Sequence, residues 1–235
     1  MRLRAILGRM GTTGLICLAL GPAALPTFSH AGGVSDQIMQ PGLYSAAPGG
    51  EVLRYRVERS LAPAPGAGWP GAGHGIALPE ALQGAALVLE RAEATPDRLR
   101  LTLAPDATAP GRVLSELPQA APNPVLLFWL ENIVRAASVQ TGGSPFYLRN
   151  RIREALVAAE ISPDAAGISH LELTPFAALG AEERARLGAF AGLRLQLRWH
   201  QASPGRILEL KADTSGDGEA APGGYHEHLI LQPEE

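Results

Sequence analysis

Cysteine is all but missing from this 235-residue chain. Its one copy, Cys17, lies in the first thirty-one residues, so any product trimmed of that stretch forms no internal disulfide and offers no thiol for metal or nucleophilic work. Lysine is nearly absent too, with Lys211 the single example among twenty basic residues. Aromatic residues make up only 5% of the chain. Several catalytic signatures are missing as well: no G-x-S-x-G elbow, no H-E-x-x-H helix and no phosphate loop closed by lysine. Hydrolysis by those routes, or by a cysteine, therefore has no residues to carry it, and no cofactor is expected.

What the first residues do contain is an export pattern. Arg2, Arg4 and Arg9 precede an apolar stretch around Leu15 to Leu25, and Ser29-His30-Ala31 supplies small residues for cleavage before Gly32. Gly11, Gly14, Gly21 and Pro22 interrupt the stretch, which is already short for spanning a bilayer. Residues 1–31 are thus expected to be a cleaved signal peptide, 32–50 a flexible lead-in, and 51–235 one domain. The expected location is a bacterial periplasm or the medium outside. The leader takes three basic residues and no acid, leaving seventeen Lys and Arg against twenty-three Asp and Glu, a formal charge of −6. Such a chain has no electrostatic footprint for nucleic acid.

Beyond residue 50 the strongest signal is alternation of period two, the mark of strands with one wet face. Leu53, Tyr55 and Val57 oppose Arg54, Arg56 and Glu58; Leu99, Leu101 and Leu103 oppose Arg98, Arg100 and Thr102. Leu193, Leu195, Leu197 and Trp199 oppose Arg194, Gln196, Arg198 and His200. Weaker runs at 84–91, 168–174, 206–212 and 225–231 bring the count to about seven, with a possible short strand at Val113. Reversals at Thr95-Pro96-Asp97, Ser203-Pro204-Gly205 and the Gly-rich 214–224 suit antiparallel pairing.

Between these strands, 123–160 reads as a helical hairpin. Asn123-Pro124 and Ser144-Pro145 are N-cap and first-turn proline pairs, and Gly142-Gly143 stops the first helix. Leu126, Leu130, Ile133, Val134 and Ala137 share one face, widened by Phe128 and Trp129, while Glu131 and Arg135 make the first helix a poor membrane anchor. Leu148, Ile152, Ala155, Leu156 and Ala159 line the second helix opposite Arg149, Asn150, Arg153 and Glu154. The expected fold is therefore α+β: an antiparallel, curved sheet with the hairpin on its apolar face and no integral membrane segment in the domain. In outline alone, with no motif to carry it, this plan resembles exported half-barrel carriers of lipids or lipoproteins.

Candidate sites follow from that plan. Phe128, Trp129, Phe146 and Tyr147 are expected to line a pocket for an apolar or amphiphilic small molecule, with Arg149 or Arg153 meeting a polar head group. The plainer reading of the arginines is a wet helix face with Glu154 and Glu160 as partners. His226 and His228 project from one strand face, and zinc would need a third ligand such as His200, His170 or His74; two solvent-facing histidines are the bland alternative. Gly66 to Gly71 matches a dinucleotide pattern but lacks the helix that must follow it. Residues 213–219 hold oxygens at the first, third and fifth positions of a calcium loop, with Gly224 where the bidentate glutamate belongs. The competing function is an envelope interaction or assembly factor whose helices fill the sheet. The two differ in volume, since a carrier needs a cavity of about 300 Å³ or more.

Overall fold

The computed structural model describes residues 33–44, 51–62, 76–92, 94–106, 108–161, 163–214 and 223–233. Eight antiparallel strands run β1 (Glu51–Leu61), β2 (Leu82–Arg91), β3 (Arg98–Ala104), β4 (Arg112–Pro118), β5 (Ile168–Leu173), β6 (Arg194–His200), β7 (Ile207–Asp213) and β8 (Tyr225–Leu231). They form one open, curved sheet in the order β4-β3-β2-β1-β8-β7-β6-β5. Each half is a meander, and the two meanders join where the first strand pairs with the last, Val57 opposite Leu229 and Arg59 opposite Glu227. Seven strands stand where alternation predicts them; the eighth, β4, contains the possible short strand at Val113 and is an edge strand whose two-sided exposure weakens the period-two signal.

Four helices complete the described chain: α1 (Val34–Ile38), α2 (Pro124–Thr141), α3 (Pro145–Ala158) and α4 (Ala181–Leu187), the last running into a 3₁₀ turn at Gly188–Gly192. No described helix is long and apolar enough to cross a membrane. The hairpin forms as its caps predict, with one exception. Asn123 Oδ1 accepts from the amides of Val125 and Leu126 at 3.1 and 3.2 Å, and Gly142 closes α2 with φ 68°, a conformation glycine takes without steric penalty. Ser144, expected to cap α3 in the same way, makes no side-chain capping bond.

The core lies between the inner sheet face and α2. Leu53, Tyr55, Val57, Leu87, Leu89, Leu99, Leu195, Leu197 and Trp199 meet Leu126, Trp129 and Ile133, all at 3% exposure or less. Burial of each such side chain contributes about 1.5–3 kcal/mol. Leu148, Ile152 and Leu156 bring α3 onto the same cluster, as their spacing of four along one helix face predicts. The expected flexible lead-in contributes to it as well: Val34 and Ile38 of α1 have no exposure, and the Tyr44 hydroxyl donates to the Gly205 carbonyl at 2.7 Å. Asn123 Nδ2 donates to that same carbonyl at 3.3 Å, tying the turn before β7 to the start of α2. Gly205 is buried there, and a Cβ at this position would come within 3.2 Å of Leu43 Cβ.

Candidate functional site

Three polar or open features stand out on this frame. The first is buried. Alternation carries Arg59 of β1 and Tyr225 and Glu227 of β8 onto the inner face, where α2 lays Phe128 and Asn132 over them. Arg59 Nε donates to Glu227 Oε1 at 2.9 Å, with Nη2 bonded to the same oxygen and Nη1 donating to the Glu80 carbonyl at 3.1 Å. Tyr225 donates its hydroxyl to Glu227 Oε2, and Asn132 Nδ2 donates to Oε1 at 3.3 Å. The Arg59 guanidinium lies 5.5 Å from the Phe128 ring centroid, within cation–π range. Burial is the strongest influence on Glu227 and pushes its carboxyl up, while Arg59, Tyr225 and Asn132 pull the other way by bonding the charged form. Arg59, Asn132, Tyr225 and Glu227 are all within 3% of full burial, and their network holds β1, β8 and α2 together.

The second feature is on the outer face. His226 Nδ1 lies 2.9 Å from Asp213 Oδ2, and His228 Nε2 lies 2.8 Å from Glu209 Oε1, which links β8 to β7. Arg198 of β6 donates to the other Glu209 oxygen at 2.8 Å. Partial burial works to raise the Glu209 carboxyl, but the bonds from Arg198 and His228 outweigh it and hold the group below its ordinary 4.5. His200 does not join them. It sits on β6, which β7 separates from β8, and it accepts from the Ala202 amide at 3.3 Å. His170 instead faces Asp164, 3.4 Å away on β5's side of the sheet. Among the described residues no three His, Cys, Asp or Glu side chains gather so as to hold a metal ion. Asp213, first in the calcium-like stretch, is taken by His226, and 215–222 lie outside the described residues, as do Gly66–Gly71 and His74.

The third feature is a groove of about 510 Å³ at the turn of the hairpin. Leu148, Leu179 and Leu187 provide an apolar floor, Tyr147 and the Thr141–Gly143 turn one wall, and Glu183 and Arg186 of α4 the opposite rim. Of the residues expected to bind a ligand, only Tyr147 lines it. Trp129 is wholly buried in the core, with its indole N–H free of a protein acceptor, and Phe128 is occupied beneath Arg59. Phe146, 71% exposed, stands beside the groove on the first turn of α3. Arg149 pairs across the hairpin with Glu131 at 2.9 Å, while the expected acid Glu154 takes Arg151 instead. Arg153 projects into solvent. The groove escapes sequence reading because its walls come from segments about forty residues apart, and only the apolar Leu179 just ahead of α4 hints at a second wall.

No known protein family, curated protein or solved structure matches this chain.

Proposed function

We propose that this chain is an exported, non-enzymatic binding protein for a small amphiphile, held in the groove at the end of the hairpin rather than between the helices and the sheet. The observation that carries the reading is the groove itself: about 510 Å³, with a leucine floor, an aromatic wall and a charged rim formed by Glu183 and Arg186. That combination of apolar lining and a few polar groups, at that size, suits a small-molecule site. The apolar part of the ligand would lie over Leu148, Leu179 and Leu187, and its polar head would face α4.

Native mass spectrometry of the protein purified gently from an exporting host, repeated after denaturation, tests this. An adduct of roughly drug or lipid size, within the 300–1,000 Å³ range of such sites, is expected to vanish on denaturation and to be missing from Leu179→Trp, which fills the groove. A bare mass under every condition overturns the reading.

A second reading is favoured by a different observation. Trp129, Leu126 and Ile133 fill the sheet's apolar face, as an interaction or assembly factor requires, while Phe146 and Val157 of α3 are 71% and 62% exposed. On that reading the outward side of α3 meets another envelope protein. A bare mass together with partner binding that is lost in Phe146→Ser would select it.

A further inference from the structure

His226 and His228 occupy alternate positions of β8 and so project from the same outer face of the sheet. Each ring has one nitrogen held by a carboxylate from β7: Nδ1 of His226 by Asp213 at 2.9 Å, and Nε2 of His228 by Glu209 at 2.8 Å. A neutral imidazole that donates its N–H to a carboxylate carries a lone pair on the opposite nitrogen, with its tautomer and orientation set. The ring nitrogens that these carboxylates leave unbonded are His226 Nε2 and His228 Nδ1. The rings remain accessible, at 16% and 22% side-chain exposure.

Their spacing sets the angle at the ion. An ion bonded to two imidazoles at about 2.0–2.1 Å puts the ring centroids about 4.5 Å apart at a right angle, about 5.2 Å at a tetrahedral angle and about 6.4 Å when the nitrogens are opposite each other. The observed centroid separation of 6.3 Å matches only a nearly linear pair as the rings stand, and a bent pair needs them to close by about 1 Å. We propose that His226 and His228 form a two-histidine site for a borderline transition-metal ion, with Cu²⁺ preferred to Zn²⁺, on the outer face of β8. The preference follows the general order of affinity at nitrogen sites. Among the described residues no third ligand closes on the pair, so water completes the shell, or Glu58, which stands opposite His228 on β1 and pairs at the surface with Arg56. Lys211, opposite His228 on β7, and Arg198 on Glu209 are the cations that oppose binding and keep the affinity moderate.

The site is tested on untagged protein by titrating Cu²⁺ against a weak competing chelator and recording the electron paramagnetic resonance spectrum. One ion per chain with two imidazole nitrogens is expected. His226→Gln and His228→Gln should each weaken binding at least tenfold and reduce the nitrogen couplings to one, with circular dichroism unchanged. Asp213→Asn, which removes only the orienting carboxylate, should cost between about tenfold and a hundredfold. His200→Gln serves as a control and should bind like the parent. Binding that is equal in the parent and the His226→Gln/His228→Gln double variant, or no binding by the parent, overturns the proposal. Neither result depends on whether the groove holds an amphiphile.

Discussion

Glu227 has no exposure to solvent and accepts hydrogen bonds from Arg59, Tyr225 and Asn132. A carboxylate so placed costs desolvation energy, which its partners offset only while all of them are present. Glu227→Gln keeps the shape but leaves the Arg59 guanidinium buried without its counter-charge. A loss of about 3–5 kcal/mol of stability is therefore expected in urea unfolding, in line with broken buried pairs elsewhere. Arg59→Met combined with Glu227→Gln should cost less than the two single changes added together, because the pair acts as one unit. Half of this network is legible in the sequence. Position 59 continues the inward series of Leu53, Tyr55 and Val57, and Glu227 falls between Tyr225 and Leu229, opposite in phase to the two histidines. What alternation does not carry is that strands 168 residues apart pair with each other. Without that pairing, an inward arginine and an inward glutamate look like two breaks in a pattern.

At the scale of elements, α2 joins the sheet to the rest of the molecule. Its borders were legible because caps and glycine stops act within a few residues of the helix they end. Asn123, however, does two things at once: its Oδ1 caps α2 and its Nδ2 reaches the Gly205 carbonyl, an acceptor it shares with Tyr44. Asn123→Ala should lower stability by about 1–2 kcal/mol, at the upper part of the range for lost caps, because a buried carbonyl also loses one donor. Asn123→Asp, which keeps the cap acceptor and removes the amide donor, should recover part of that loss in the same thermal or urea measurement. Which face of α2 meets the sheet was the part that the sequence left open. A helix with apolar residues on most sides does not announce which side meets the sheet. Here Trp129 turns into the core and Phe128 meets Arg59, so the aromatic pair that looked like a pocket lining became packing.

For the whole molecule, the governing fact is the strand order. Each four-stranded meander is made of neighbours in sequence, and turn residues mark the reversals between β2 and β3, β6 and β7, and β7 and β8. The single non-local ladder, β1 with β8, stands at the middle of the sheet and carries Arg59 and Glu227. Removing 225–235 should therefore abolish cooperative folding, since β1 and β7 both lose a partner and α2 loses the buried network beneath it. Removing an edge strand's worth of pairing by a proline at Ser115 in β4 should leave a cooperative, weakened transition. Circular dichroism with urea titration distinguishes the two outcomes.

That central ladder also sets a schedule. β1 is complete at Leu61, and its partner does not begin until Tyr225. At a synthesis rate of about 5–20 residues per second, the 163 intervening positions keep one edge of β1 bare for roughly 8 to 33 seconds. Through that interval the newborn chain holds β1 paired on its β2 edge and open on the other, and it cannot close the gap from what has already been made. Whatever guards a nascent chain from its neighbours must guard this one until nearly its last residue, because the middle of the finished sheet is the last part to come into being.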